Sequence, residues 1–213
     1  SFMLETIDTF KPDVAAILNV TPDHLDRYNG MDEYFAAKKR IFMNQSDDDW
    51  FVYNMDSDML MAARGEYPVN SLCFSTGNNE ADAFIFNDRL YFSMLGVDLP
   101  VARLDDIPVL GIHNVQNVLA SVLMVIALHK KTGTSPDPGR IVDAIRTFKG
   151  LEHRMEQAGE YMGRTFVNDS KATTIGAVEM AVRSIKDKGI LIIGGRTKGD
   201  DYSRLRDVVM EKA

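Results

Sequence analysis

The sequence lacks the features of several specialised classes of protein. Cys73 is the only cysteine in the 213 residues, so an intrachain disulfide is excluded and the chain suits a reducing, cytoplasmic compartment. The net charge is −7 and the sequence has no basic stripe. Both features argue against a nucleic-acid partner. The longest apolar run, residues 119–128, is shorter than the ~20 residues of a membrane-spanning helix. No signal peptide is recognisable, so we expect no membrane partner.

A phosphate-binding loop is also missing. The chain contains no Gly-Lys dipeptide, so it cannot form a G-x-x-x-x-G-K-[ST] loop, which holds β- and γ-phosphates through backbone N–H groups. Residues 194–199 are rich in glycine and follow an apolar run, but they lack the G-x-G-x-x-G spacing of a dinucleotide-binding turn. Lys198 in this segment could still reach an anionic substrate.

Hydrophobic residues make up 45% and charged residues 26% of the chain, the composition of an ordinary globular protein. Apolar periodicity and turn residues predict alternating strands and helices. Predicted strands are residues 14–20, 50–53, 164–168 and 190–193, with residues 1–5 as the end of another strand. An antiparallel hairpin is predicted for residues 83–86 and 90–93, joined across Asn87-Asp88. Predicted helices are residues 31–42, 57–64, 114–131, 138–147, 175–184 and 202–210.

These elements predict an α/β fold in two parts. Residues 1–150 are expected to form one domain with a mostly parallel sheet and a small antiparallel subregion. In residues 151–213 the predicted strands and helices alternate again in the order βαβα. This order predicts a second parallel sheet. About 60 residues are few for such a domain, so we expect this second domain to be partial.

A polar cluster follows the first predicted strand. Asp23, His24 and Asp26 lie just beyond its carboxyl end, the edge at which open α/β sheets bind ligands. They could be metal ligands. Alternatively, the segment is a turn in which one aspartate caps a short helix.

Lys38 shares a predicted helix face with Tyr34, Ile41 and Phe42. A lysine on a buried face loses its proton more readily, because burial disfavours the charge. The neutral amine can react with carbon dioxide to give a carbamate, whose oxygens are suitable ligands for Mg²⁺. Alternatively, the lysine side chain extends its ammonium group to solvent. The spacing alone favours that interpretation.

Asn114 and Asn117 lie three residues apart at the start of a long predicted helix. Paired amides can donate to and accept from an adenine edge. The alternative is that Asn114 caps the helix and Asn117 is a polar residue of its first turn.

Two further segments could bind a nucleotide. His153 and Arg154 lie at the predicted domain junction, where the forked donors of Arg154 could hold phosphate oxygens. Asp169 follows a predicted strand, in the segment 168–173, and could hold ribose hydroxyls; capping of the next helix is the alternative. The alternative is that Arg154 is an ordinary surface arginine, and its position alone favours that interpretation.

The order of these motifs along the chain resembles the Mur ligase family. The motifs are residues 14–28 with Ala36-Ala37-Lys38, then Gly111-x-His113-Asn114-x-x-Asn117, then His153-Arg154-x-Glu156, and finally residues 168–173 (Asn-Asp-Ser-Lys-Ala-Thr). The last three resemble the D-glutamate-adding members in particular. The resemblance extends from residue 1 to about residue 205, and several motifs in one order make it specific.

The resemblance implies an ATP-binding central domain and the start of a Rossmann-like C-terminal domain. It implies a bacterial, cytoplasmic, monomeric ligase of peptidoglycan synthesis, which uses ATP and Mg²⁺ to join D-glutamate to UDP-N-acetylmuramoyl-L-alanine. By the same resemblance the metal ligands are Glu5, His24 and a carbamylated Lys38, with His24 and Lys38 also catalytic. The nucleotide-binding residues are Asn114, Asn117, His153, Arg154, Asp169 and Lys171. The substrate-binding residues are Thr173 and Lys198.

The chain also departs from the family. It lacks the phosphate loop, and Met3 stands where the family often has glutamine. We therefore expect this chain alone to be inactive. Three alternatives stay open: a sibling Mur ligase or folylpolyglutamate synthase-like enzyme, a non-catalytic nucleotide-binding module, and a metal-dependent hydrolase built on the Asp23–Asp26 cluster.

Overall fold

A computed structural model describes residues 2–22, 27–68, 70–94, 97–186, 188–195 and 201–212. The helices are α1 (Phe2–Glu5), α2 (Met31–Lys39), α3 (Asp58–Ala62), α4 (Ile112–Thr132), α5 (Pro138–Thr147), α6 (Ile175–Ser184) and α7 (Arg206–Lys212). The strands are β1 (Val14–Ile17), β2 (Trp50–Asn54), β3 (Ser71–Ser75), β4 (Ala83–Phe86), β5 (Arg89–Met94), β6 (Val97–Arg103), β7 (Glu156–Tyr161) and β8 (Arg164–Asn168). Short 3-10 turns follow α2 and α3 and precede α7.

Six strands form one mixed sheet in the order β1-β2-β3-β4-β5-β6. The first four are parallel, and β5 and β6 are antiparallel to their neighbours. The predicted α/β class with a mostly parallel sheet is therefore confirmed. The antiparallel strands extend this sheet. The predicted turn at Asn87-Asp88 has φ values of 48° and 58°, the left-handed pair that a two-residue hairpin favours.

The core lies on both faces of the central strands. Phe51, Val52 and Tyr53 are consecutive in β2 and at most 2% exposed, the pattern of a parallel strand covered on both sides. One face packs against residues of α2 and α3, including Tyr34, Phe35 and Leu60. The continuous apolar run of β2 is what made this strand readable from the sequence.

The chain divides into two compact units. Unit 1 comprises residues Ser1–Asp106 and Val115–Ile145, and unit 2 comprises Ile107–Asn114 and Arg146–Ala213. Unit 2 contains the antiparallel hairpin β7–β8 and a small core between α6 and the C-terminal helical segment, formed by Ile175, Val182, Leu205 and Val208. The proposed division into family domains at residue 150 stays a prediction.

Two predicted strands are wrong. Residues 190–193 form no strand, and Ile190 and Ile192 are 81% and 90% exposed. An apolar run becomes a strand only when another strand pairs with it, and the described part of unit 2 has only β7 and β8, which pair with each other. The second parallel sheet is therefore absent from the described residues. Phe2–Glu5 is a short helix rather than the end of a strand.

Helix α4 is long and apolar enough to cross a membrane by length and composition. That test is also passed by core helices of soluble proteins, so it is weak evidence. One face of α4 is buried, through residues including Leu119, Leu123 and Ala127. At its end Lys131 forms ion pairs with Asp13 and the fully buried Asp49, which join the helix to the start of β2.

Candidate functional site

In unit 1 the predicted metal ligand Glu5 lies at the end of α1. Its carboxylate accepts hydrogen bonds from the Tyr28 hydroxyl and from the Arg27 guanidinium, the latter at 2.5 Å. These two donors lower the pKa of Glu5, Tyr28 being the larger cause. An open cleft of about 530 Å³ is lined by Glu5, Arg27, Tyr28, Glu33, Ala36, Ala37 and Arg40. Glu5 is therefore an ionised carboxylate at the edge of a cleft.

Glu5 suits Mg²⁺ as one oxygen ligand. Both of its oxygens, however, already accept hydrogen bonds from Arg27 and Tyr28, so a cation would share or displace those donors. No group of three or more His, Cys, Asp or Glu side chains that could hold a metal occurs among the described residues. The remaining ligands would have to come from other groups, such as His24 or a carbamate on Lys38.

Arg40 holds the segment that carries Glu5. Its guanidinium donates to the carbonyl of Leu4 at 2.8 Å and to that of Ile7 at 2.7 Å. Asn44 donates in the same way to the carbonyls of Asp8 and Phe10. The backbone on either side of Glu5 is thus fixed to the end of α2, the helix that carries Lys38.

We expect Arg40→Met to loosen residues 4–10. Losing two hydrogen bonds from a charged donor should lower the local opening free energy by about 1.5 kcal/mol or more, and so raise amide exchange roughly tenfold. Hydrogen–deuterium exchange of this segment measures the effect. Lys39→Met is the matched control, because its ammonium group pairs with Glu66 on the surface. Equal exchange in the two variants would contradict the role given to Arg40.

Lys38 is partly buried, and its Nζ lies 4.7 Å from the centroid of the Tyr34 ring. The predicted shared face is present, since Tyr34 is buried and Ile41 and Phe42 pack against the same core. The ammonium group therefore stacks on an aromatic ring, a favourable cation–π geometry. The carbamate stays a prediction.

Asn114 and Asn117 lie one turn apart in α4. The helix begins at Ile112, so Asn114 belongs to its first turn and is not its N-cap. The Asn114 amide donates to the Leu110 carbonyl at 2.6 Å. Asn117 is exposed. The proposed contact of both amides with adenine stays a prediction.

The residues just before this turn are tightly packed. Gly111 has φ +97°, and a Cβ there would lie 2.5 Å from the Ser184 hydroxyl and 2.6 Å from the His113 ring, so only glycine fits. Burial lowers the pKa of His113 and outweighs the nearby Asp169 carboxylate, which raises it. Its Nδ1 is buried without a hydrogen-bond partner among the described residues.

Unit 2 brings the predicted nucleotide-binding segments together. The Met155 N–H donates to Asp169 Oδ1 at 3.1 Å, and the Lys171 N–H donates to the His153 carbonyl at 3.2 Å. The His153 Nδ1 lies 2.8 Å from the Asn168 amide nitrogen. The loop before β7 and the loop after β8 therefore form one polar group, which leaves Arg154 exposed.

The capping alternative for Asp169 is wrong. Thr174 caps α6, its hydroxyl accepting from the Ala177 N–H at 3.3 Å. Asp169 instead binds the backbone of the preceding loop. Lys171 and Thr173 are exposed beside it, as ligand-binding side chains would be.

Four predicted residues lie outside the described part of the chain, namely Asp23, His24, Asp26 and Lys198. Two residues with a part in these groups were missed, Arg40 and Glu156. Glu156 stands inside the quoted His153-Arg154-x-Glu156 motif, so its position was visible but its contacts were not. Arg40 lies two residues after Lys38, and nothing in its spacing indicates that it binds distant carbonyls.

The fold and these two polar groups define a mixed α/β protein with a polar cleft, lined by two glutamates and two arginines, in one unit and a candidate nucleotide-binding loop pair in the other. Residues 2–125 match the Mur ligase middle domain. The chain therefore belongs to the Mur ligase family.

Curated relatives extend this similarity to the whole chain. The UDP-N-acetylmuramoylalanine–D-glutamate ligase of Koribacter versatilis is 38% identical over 214 residues, which cover 100% of this chain and 46% of the relative. The enzyme of the same name from Acidobacterium capsulatum is 39% identical, with coverage of 98% and 45%. The chain thus spans less than half the length of these relatives.

Solved structures share the fold at lower identity. The apo folylpolyglutamate synthetase of Lactobacillus casei has a TM-score of 0.63 at 14% identity, covering 95% of this chain and 48% of that one. MurF of Acinetobacter baumannii has a TM-score of 0.57 at 22% identity, covering 82% and 37%. At such identities the likeness establishes the fold alone.

Proposed function

We propose that this chain belongs to an ATP-dependent, ADP-forming ligase that joins D-glutamate to UDP-N-acetylmuramoyl-L-alanine in peptidoglycan precursor synthesis. The observation that carries the proposal is the name shared by relatives 36–39% identical over the whole chain or nearly so. The enzyme would act in the bacterial cytoplasm as a monomer, without membrane or nucleic-acid partners. The chain alone would be inactive, because it contains no phosphate loop.

In the proposed reaction the substrate carboxylate attacks the γ-phosphorus of ATP, giving an acyl phosphate and ADP. The amine of D-glutamate then attacks the acyl carbon, and the tetrahedral intermediate expels phosphate to leave the amide. The protein contributes positioning and charge neutralisation. When bound, Mg²⁺ would neutralise phosphate charge, and Glu5, His24 and the carbamate of a carbamylated Lys38 would hold it.

The unit 2 loops would bind the nucleotide. Arg154 is exposed on a turn whose backbone is fixed on both sides, which suits a forked clamp on phosphate oxygens. Asp169 would hold the ribose, and Asn114 and Asn117 the adenine edge, with Lys171 and His153 beside the nucleotide. Thr173 and Lys198 would contact D-glutamate.

The test uses the longer ligase that contains this chain. Phosphate release from ATP is followed with UDP-N-acetylmuramoyl-L-alanine and one acceptor at a time: D-glutamate, L-glutamate, L-lysine, meso-diaminopimelate or L-alanine. We expect release only with D-glutamate. Release with another acceptor would assign a sibling ligase or a glutamate-adding relative of the folylpolyglutamate type, and no release with any acceptor would leave a non-catalytic nucleotide-binding module.

The 213-residue chain is the matched control in the same assay. Its release of phosphate should stay at the background rate with every acceptor, because it has no loop for the β- and γ-phosphates. Turnover by the chain alone at the rate of the longer protein would contradict this expectation.

A further inference from the structure

The turn that carries Arg154 is strained on both sides. His153 has φ 66° and Met155 has φ 44°, left-handed values that cost a residue other than glycine about 1–2 kcal/mol. Two such residues on either side of one exposed arginine are uncommon. Backbone strain persists only where the surroundings impose it, and it concentrates at functional sites.

Two carboxylates impose this conformation. The His153 N–H donates to Glu156 Oε2 at 2.9 Å, and the Met155 N–H donates to Asp169 Oδ1 at 3.1 Å. The amide of each left-handed residue therefore has its own anionic acceptor. Hydrogen bonds to charged acceptors are stronger than those to neutral ones. They therefore offset the free-energy cost of the two left-handed residues.

Glu156 also fixes the His153 ring. Its Oε2 accepts from the Asn168 amide at 3.2 Å, and that amide nitrogen lies 2.8 Å from His153 Nδ1. Glu156 and Asn168 are partners across the β7–β8 hairpin, so the strand register places them together. One carboxylate thus holds both the backbone and, through Asn168, the side chain of His153.

We propose that Glu156 is a positioning residue, which holds the His153–Met155 turn in its left-handed form so that Arg154 is presented to nucleotide phosphates. This inference rests on the proposed function, because that function gives Arg154 its ligand. Glu156 itself touches no reacting atom. Its contribution is that Arg154 needs no reorganisation when the nucleotide binds.

The test compares Glu156→Ala, Glu156→Gln and the control Glu160→Ala in the longer ligase. Glu160 lies on the same strand with its side chain exposed. Calorimetry with ADP and steady-state kinetics are the measurements. We expect Glu156→Ala to weaken nucleotide binding and raise KM for ATP by roughly tenfold or more, the effect of one lost charge-assisted hydrogen bond, with KM for D-glutamate unchanged. Glu156→Gln keeps an acceptor oxygen and should recover most of the affinity, and Glu160→Ala should match the wild type.

A glycine background separates positioning from general stability. Glycine adopts left-handed φ without strain, so in a His153→Gly protein the added Glu156→Ala change should weaken ADP binding by less than about twofold, a strong departure from additivity. Full additivity, or wild-type affinity in Glu156→Ala, would overturn the inference. If Glu156→Ala does not fold, the cycle is run with Glu156→Gln: a loss of ADP affinity that disappears in the His153→Gly background supports the inference, and an equal loss in both backgrounds overturns it. A wild-type protein that binds ADP but releases no phosphate would refute the proposed function. In that case the ADP-binding data of the variants alone would decide this inference.

Discussion

Asp49→Asn should destabilise unit 1 by about 3 kcal/mol, because it removes the buried anion that two partly exposed lysines bind. Asp49 is fully buried before β2, with Lys131 on one carboxylate oxygen and Lys11 at 2.9 Å from the other. The Ser46 N–H donates to it at 2.8 Å. Asparagine keeps the shape but leaves both ammonium groups without this partner. The loss should lie at the low end for buried pairs, since Lys131 also pairs with Asp13.

The measurement is urea unfolding of the chain followed by tryptophan fluorescence. Trp50 is the only tryptophan and lies next to Asp49 in β2, so the signal reports on unit 1. Asp48→Asn is the matched control, because Asp48 is exposed in the same loop. We expect the control to change stability by less than about 0.5 kcal/mol. Equal, small losses in both variants would show that the cluster contributes nothing.

The same cluster predicts a pH dependence. Burial opposes ionisation of Asp49, but the hydrogen bonds from Lys131, Ser46 and Lys11 outweigh it and hold the pKa well below its usual range. A depressed pKa contributes stability above the unfolded value of about 4, and that contribution is lost as the pH falls toward the folded value. The advantage of the wild type over Asp49→Asn should therefore be full at pH 7 and shrink below about pH 4. A difference that stays constant down to pH 3 would contradict the assignment.

The second large effect is expected at Lys38, in the longer ligase that we propose contains this chain. Lys38→Ala should lower phosphate release by about 10- to 100-fold, the scale of losing a group that supports a bound metal. If the active form is a carbamate, removing dissolved carbon dioxide should lower wild-type activity, and bicarbonate should restore it. Lys39→Ala, at the next position on α2, should stay active and respond to bicarbonate as the wild type does.

Lys38→Arg separates the carbamate from a simple cation. Arginine keeps the charge and can stack on Tyr34 as Lys38 does, but it stays protonated and forms no carbamate. We expect it to be as inactive as Lys38→Ala. An active, bicarbonate-insensitive Lys38→Arg enzyme would mean that Lys38 acts as a cation.

The structural features predicted correctly from the sequence depend on residues that are close together in the chain. The apolar run at residues 50–53 predicted a strand, and Asn87-Asp88 predicted the hairpin turn, because both depend on residues a few positions apart. The shared face of Tyr34 and Lys38 follows from helix periodicity alone. The candidate site residues were found by the order of motifs, and their roles stay proposals.

The features that the sequence did not predict depend on contacts between residues that are far apart in the chain. Residues 190–193 have the composition of a strand, but no described strand pairs with them. Asp49 follows Asp47 and Asp48, which in sequence resembles a solvated acidic turn. Its partner Lys131 is 82 positions away, so no local pattern could reveal the ion pair.

The sequence by itself determined the α/β class, most helix and strand positions and the family, since each is encoded in short-range periodicity or in motif order. Only the tertiary structure decided which polar groups meet: Arg40 with the carbonyls beside Glu5, Asp49 with Lys131, and Glu156 with the amide of His153. The physical reason is that a hydrogen bond or ion pair requires two groups within about 3 Å. For residues far apart in the chain, that distance is set by strand register and by the packing of helices on the sheet.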